Sequence, residues 1–394
     1  MANDYCTQVV DDPARIDCGA WNALVDADAD ANPFLRHEYL LALTASGAAA
    51  APSGWQPHFM LLTRGDELAA AAPLYAKDHS YGEYVFDWSW AEAYHHHGLD
   101  YYPKWLVAVP FTPVPGTRLL ARDEAARSAL ATALLAHARA SRLSSLHVLL
   151  APPRDISALA GAGMVVRDGV QFHWRNAGYA GFDDFLAQLA QPKRKKIRAE
   201  RRKVAEAGVT LERRVGREIT EADWRFFFRC YLATYRAHFS SPYLNLDFFL
   251  RIAESMPQHL MLVLARSEGK PVASALGVFD AQGAEPRLYG RYWGAVERID
   301  CLHFECCYYQ MIDFAIERKL AWFEGGAQGE HKLARGLDPV PTRSAHWLAH
   351  PAMMDAVRRF VGRERAGVSA AIDELNEHRA FREPLDCRLG GKDV

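Results

Sequence analysis

The sequence predicts an α/β fold written twice: two lobes, each a mixed, mostly antiparallel sheet flanked by helices. Three observations lead there. The order helix, hairpin, strand, helix, strand occurs in the first half and again in the second. The two hairpins resemble each other, LLTRGDELAAAAPLY beside VLARSEGKPVASALGVF, each with two apolar runs around a charged glycine turn. The length of 394 residues also exceeds the roughly 100–200 of one ordinary domain. The expected division is a first lobe at 1–175 and a second at 176–394, the second including a basic helix at 192–207.

Each element follows from local signals. Asn32-Pro33 before FLRHEYLLALTASG reads as a capped helix start, with Gly47 as its end. HFMLLTRGDELAAAAPLYAKD reads as two strands around the Gly65-Asp66 turn, and YVFDW and WLVAVPF as further strands. EAARSALATALLAHARASRL carries a helical period, followed by the buried strand SLHVLLAP. In the second half, EADWRFFFRCYLATYRAHF and LDFFLRIAESM are helical, and HLMLVLARSEGKPVASALGVFD is a hairpin turning at Glu268-Gly269. Then come the strand PRLYGRYWG, the helix LHFECCYYQMIDFAIERKL, the strand AWFEGG, a strand near SAHWLA and a helix from about Met353 to Glu377.

Half of the residues are hydrophobic, a quarter charged, and the net charge is -2, so no global field draws the chain to nucleic acid or membrane. No apolar run reaches the about 18 residues of a membrane span, and MANDYCTQVVDD lacks the pattern of a signal peptide. A cytoplasmic protein without a membrane span is expected. Seven cysteines, two of them adjacent at Cys306-Cys307, suit reduced thiols better than a disulfide framework.

Five segments are candidates for chemistry. Lys193 to Lys203 holds eight basic residues against one acid, framed by Pro192 and Gly208 as a helix. It reads either as a solvated face or as a strip for phosphates. Leu302 to Tyr309 puts His303 on one helical face with Cys306 and Cys307, but no second Cys/His pair with zinc spacing accompanies it, so no metal is assigned. Glu305 in that aromatic surrounding is either exposed or a buried carboxylate with a raised pKa. His95 to His97 cannot present three ligands to one ion from one face. Gly290 to Gly294, GRYWG, alternates Arg291, Tyr292 and Trp293 along a central strand.

The fifth segment is FEGGAQGEHKLARG, Phe323 to Gly336. Its glycines permit sharp turns and close approach, and Glu330, His331, Lys332 and Arg335 follow at once. The register of a phosphate-binding P-loop is not met, because Lys332 follows Glu330-His331 and Leu333 stands where a hydroxyl belongs. The charges between apolar elements point to a cleft in which Lys332 and Arg335 bind an anion and His331 or Glu330 serves as a base. Glu305 and Arg291 would support them, Tyr292 would orient a substrate, and Trp293 would help to bind it. No Ser/His/Asp or Cys/His arrangement argues for a covalent intermediate.

FDWSWAEAY, YYPKWLVAVPFTPVPGTRLL, KRKKIRAERRKVAEAGV, LYGRYWG, LHFECCYYQ, EGGAQGEHKLARG and TRSAH together resemble the duplicated form of the GNAT acyltransferase superfamily, and within it the FemAB-like proteins of peptidoglycan biosynthesis or recognition. The resemblance runs along the whole chain. It implies tandem GNAT-like lobes and transfer of an acyl or aminoacyl group from acyl-CoA or aminoacyl-tRNA, as co-substrate without a tightly bound cofactor, to an amine acceptor of the cell-wall precursor class. It also implies that Lys193, Arg194, Lys196 and Arg198 contact a tRNA-linked donor, since FemAB-type enzymes have a basic helical region after the first lobe. Ordinary acetyl-CoA enzymes carry a Q/R-x-x-G-x-G/A loop; here Arg291-Tyr-Trp-Gly294-Ala-Val296 ends in valine. The other class of function the same residues allow is a non-catalytic module that recognises a cell-wall peptide or glycan in the same cleft.

Overall fold

The structure, a computed structural model, describes residues 5–282, 285–326, 329–377 and 379–382, and within these the side chains of Glu330, His331, Ser369 and Glu377 are not described. The strands, in chain order, are β1 (Tyr5–Val10), β2 (Trp55–Pro57), β3 (Phe59–Arg64), β4 (Glu67–Ala72), β5 (Leu74–Lys77), β6 (Lys104–Val107), β7 (Leu120–Ala121) and β8 (Ser145–Val148). They continue with β9 (Val165–Arg175), β10 (Val209–Val215), β11 (Leu260–Ser267), β12 (Lys270–Asp280), β13 (Arg287–Ala295), β14 (Trp322–Glu324) and β15 (Asp338–Leu348). The fold is mixed α/β with mostly antiparallel pairing.

A small sheet runs β1-β3-β4-β7, and an eleven-stranded sheet runs β10-β11-β12-β13-β14-β9-β15-β8-β6-β5-β2. The duplication is visible in how strands are joined. β6 lies parallel to β8 across the helix Glu124–Ala140, and β13 lies parallel to β14 across the helical run Leu302–Glu317. Such parallel pairs need a crossover, and each half supplies one helix for it. Both hairpins turn where the sequence places glycine: Gly65 has φ +62, and Glu268 and Gly269 have φ +50 and +75.

The halves exchange their last strands. β9, from the first half, pairs with β14 of the second, Arg175 opposite Trp322. β15, from the second, pairs with β8 of the first, Ala345 opposite Val148. β9 and β15 also pair with each other, from Asp338 opposite His173 to His346 opposite Val165, at the centre of the sheet.

Helices begin at side-chain caps: Asp123 accepts from Ala126 N, Thr220 from Asp223 N and Asn245 from Phe248 N. Two sequence expectations are corrected. Tyr84–Asp87 is not a strand: Tyr84 sits at φ +61 and the chain turns into the helix Trp88–His96. Asn32 caps a 3-10 turn at Pro33–Leu35, and the helix itself starts only at His37, because Arg36 is extended at ψ 144. Among the described residues no helix is long and apolar enough to cross a membrane.

Candidate functional site

Where β13 and β14 part, a cavity of about 670 Å³ opens. The strands pair only from Arg287 opposite Trp322 to Tyr289 opposite Glu324, and the next residues, Gly290 and Gly325, line the gap. The helix Glu221–Ala237 contributes Tyr231, Thr234 and Tyr235, the helical run Leu302–Glu317 contributes His303, Cys307, Tyr308 and Met311, and the first half closes one side with Tyr84 and Pro113.

A register slip shapes the β13 wall. Ala275 faces Trp293 while Gly277 faces Gly290, so β13 spends three steps where β12 spends two, and the bulge falls at Arg291–Tyr292. Arg291 Nη2 donates to Phe111 O at 2.7 Å and Tyr292 OH donates to the same oxygen at 3.1 Å. Phe111 belongs to the first half; it is held at φ +58 with its ring stacked 5.0 Å from Tyr243. These bonds fix one half against the other at the cavity edge. Gly294 explains why the strand can lie so close to its helix: a Cβ there would stand 1.8 Å from Cys230 O. That glycine serves the packing of β13 on the helix Glu221–Ala237.

The opposite edge is Gly325-Gly326. Gly326 has φ +89, and a Cβ on Gly325 would approach Leu337 Cδ2 to 2.7 Å. Lys332 lies behind this edge and donates to Gly326 O at 2.6 Å. Its side chain is 2% exposed, and burial pulls its pKa down to about 8.

The other sequence-predicted residues fall elsewhere. Arg335 Nη2 pairs with Glu200 at 3.1 Å, Glu200 accepts a hydrogen bond from Tyr309 OH, and the guanidinium lies 3.5 Å over the Phe304 ring. Instead of facing the cavity, Arg335 joins the 3-10 turn Glu330–Arg335 to the basic helix Gln191–Glu206. Glu305 is buried, accepts from Arg201 Nε at 3.2 Å and Gln310 Nε2 at 2.9 Å, and borders a smaller groove with Arg201 and Arg202. The π turn Glu305–Tyr309 separates it from Cys307 and Tyr308, which do line the cavity. Lys196 and Arg198 are exposed and Lys193 and Arg194 half-buried on the basic helix. The side chains of Glu330 and His331 lie outside the described residues. The structure therefore gathers Arg291, Tyr292 and Trp293 at the cavity with Lys332 behind it. Sequence reasoning passed over Tyr84, Pro113, Tyr231, Thr234, Tyr235 and His238. The last four recur at helical spacing in YLATYRAH and mark one face.

In the first half the corresponding gap, beyond Val107 and Val148, is filled. Arg118, 1% exposed, donates to Leu149 O at 2.8 Å, Gly116 O at 2.8 Å, Thr117 O at 2.9 Å and Val114 O at 2.6 Å. A separate buried cluster holds Lys104 between Glu83, at 2.9 Å, and Asp87, which also accepts from Tyr101 OH at 2.6 Å. Lys77 lies close by, its ammonium 3.1 Å from His79 Nδ1 and 4.1 Å over the Trp55 ring. Among the described residues no group of three or more His, Cys, Asp or Glu could hold a metal ion.

Residues 12–383 match the FemAB-like family, described as peptidoglycan biosynthesis/recognition. The chain belongs to the FemAB-like family. Solved structures resemble it over most of its length. The FemX crystal structure aligns with a TM-score of 0.54 at 11% identity, over 87% of this chain and 99% of that one. L-PGS from Bacillus licheniformis aligns at 0.52 and 12%, over 90% and 99%. A tandem GNAT protein from the clavulanic acid biosynthesis pathway aligns at 0.43 and 11%, over 88% and 99%. At these identities the first two likenesses concern the fold of this FemAB-like chain. No curated protein matches it in sequence.

Proposed function

We propose that this FemAB-like protein is an N-acyltransferase that forms an amide bond, moving an acyl or aminoacyl group from an activated donor to the amine of a cell-wall precursor. The observation that carries the reading is the cavity at the parting of β13 and β14, walled by aromatic side chains from both halves. Such a gap admits an acyl carbonyl beside backbone groups, and the aromatic lining keeps water from the reacting carbon. Trp293 contacts the donor, Tyr292 orients it, and the Lys332 charge behind Gly326 favours the developing oxyanion.

Between the two donor classes, aminoacyl-tRNA is the better fit. Gly294 is consumed by packing, and the loop from β13 into the next helix carries Glu297 and Asp300 against the one Arg298, an acidic balance that disfavours a pyrophosphate. The basic helix, with Lys193, Arg194, Lys196 and Arg198, offers the concentrated charge a nucleic acid requires. Both donor classes are intracellular, and we place the protein in the cytoplasm.

The test is thermal-shift screening with acetyl-CoA, charged tRNA and a UDP-linked muropeptide, followed by mass spectrometry of the muropeptide. The expected result is stabilisation by a donor and addition of one acyl or aminoacyl mass. Stabilisation by the muropeptide alone, without a mass change in any donor's presence, would replace the enzyme by a recognition protein.

A further inference from the structure

Among the described residues, two imidazoles line the cavity, those of His238 and His303. They stand at opposite helix poles. His238 closes the helix Glu221–Ala237 at its C-terminal end and is exposed to solvent. His303 is half-buried at the second position of the helical run Leu302–Glu317. The ring lies 5.3 Å from Trp293 at 62° and 5.8 Å from Tyr308 at 86°, so it is held between the β13 wall and the helical wall. Before it, Cys301 at φ +66 bends the chain out of the loop that follows β13.

We propose that His303 is the general base of this cavity, taking the proton of the attacking amine. The proposal rests on the acyl-transfer reading above and deepens it. The amine nitrogen forms the C–N bond to the acyl carbon, and the bond from that carbon to the donor oxygen or sulfur breaks with its electron pair. The amine proton passes to an imidazole nitrogen of His303 and from the imidazolium to the leaving atom. An amide and the free alcohol or thiol result, with no change of oxidation state. The rival device in the same wall is Cys307 as a nucleophile. Burial pushes its thiol well above the usual range, which keeps it protonated and weakly nucleophilic.

The experiment follows amide formation from p-nitrophenyl acetate and n-butylamine, and from the donor and acceptor that the screen above returns, between pH 5 and 9, with the enzyme-free rate subtracted and each rate referred to the concentration of neutral amine at that pH. The unmodified chain, H303Q, H303A, H331Q and C307S are compared. The expected unmodified profile rises through the imidazole range. H303Q loses that limb and roughly 10²-fold or more in rate, H303A recovers activity with added imidazole, and C307S keeps the pH profile whatever its effect on the cavity wall does to the rate. Melting curves show whether H303Q is folded; should it not be, H303N and the imidazole rescue of H303A carry the test. A limb that persists in H303Q, or disappears in H331Q alone, overturns the assignment, as does an acyl-enzyme mass absent in C307S. If the unmodified chain forms no amide from any donor, the acyl-transfer reading itself falls, an outcome separate from an active chain indifferent to His303.

Discussion

Arg335 and Glu200 form a buried joint: Nη2 of the arginine lies 3.2 and 3.1 Å from the two carboxylate oxygens. The residues are 135 positions apart, and through them the turn below the cavity edge is tied to the basic helix. Removing one partner takes the opposite charge away from the other in a largely dry site. Arg335→Met or Glu200→Leu is expected to cost about 3–5 kcal/mol in urea denaturation, whereas the double change should cost far less than the sum.

Gly294→Ala should be among the more damaging single-methyl additions in this chain. The new Cβ would overlap Cys230 O, so β13 and the helix Glu221–Ala237 must separate. The expected loss is at least about 1–3 kcal/mol by thermal melting, with loss of ligand-induced stabilisation because the cavity wall moves.

The Lys77–Glu83 neighbourhood predicts a pH signature. Burial raises Glu83 to about 7 and lowers Lys77 to about 7. The raised carboxyl contributes stability that is full below its ordinary 4.5 and lost as pH rises through 7. The depressed ammonium contributes stability that is full above 10.5 and lost as pH falls through 7. Together they place a minimum near neutrality. Denaturation curves between pH 5 and 9 should show Glu83→Gln flattening the acid side and Lys77→Met the alkaline side.

On the basic helix, charge removal at Lys193, Arg194, Lys196 and Arg198 should weaken tRNA binding and flatten its salt dependence. Each lost phosphate contact lowers the log–log slope by about 0.7–0.9. Filter binding at several salt concentrations checks it; an unchanged slope would remove these residues from the donor site.

What the sequence discloses here is what neighbours in the chain decide. The hairpin turns at Gly65 and Gly269 and the caps at Asp123 and Thr220 are local, and each is legible as a short string of residue types. So is the Arg291-Tyr292-Trp293 strand, though not the bulge that turns it, which arises from pairing with β12. Charge alone marked Arg335 as an anion binder; only the fold brings Glu200 to it. Glu305 was legible as unusual, but the π turn that aims it at Arg201 is a tertiary outcome. Tyr84 and Pro113 come from the other half, and no periodicity links them to the cavity.

The exchange of β9 and β15 bears on how the molecule is made. β8 emerges from the ribosome about 190 residues before the strand that covers its edge, since Ala345 pairs with Val148. Throughout that interval the first half has an open sheet margin, the kind of edge that recruits foreign strands. Synthesis halted anywhere before Asp338 leaves both halves unfinished, so a chain cut at the middle would yield two sticky fragments, and the two must be supplied together to close the sheet.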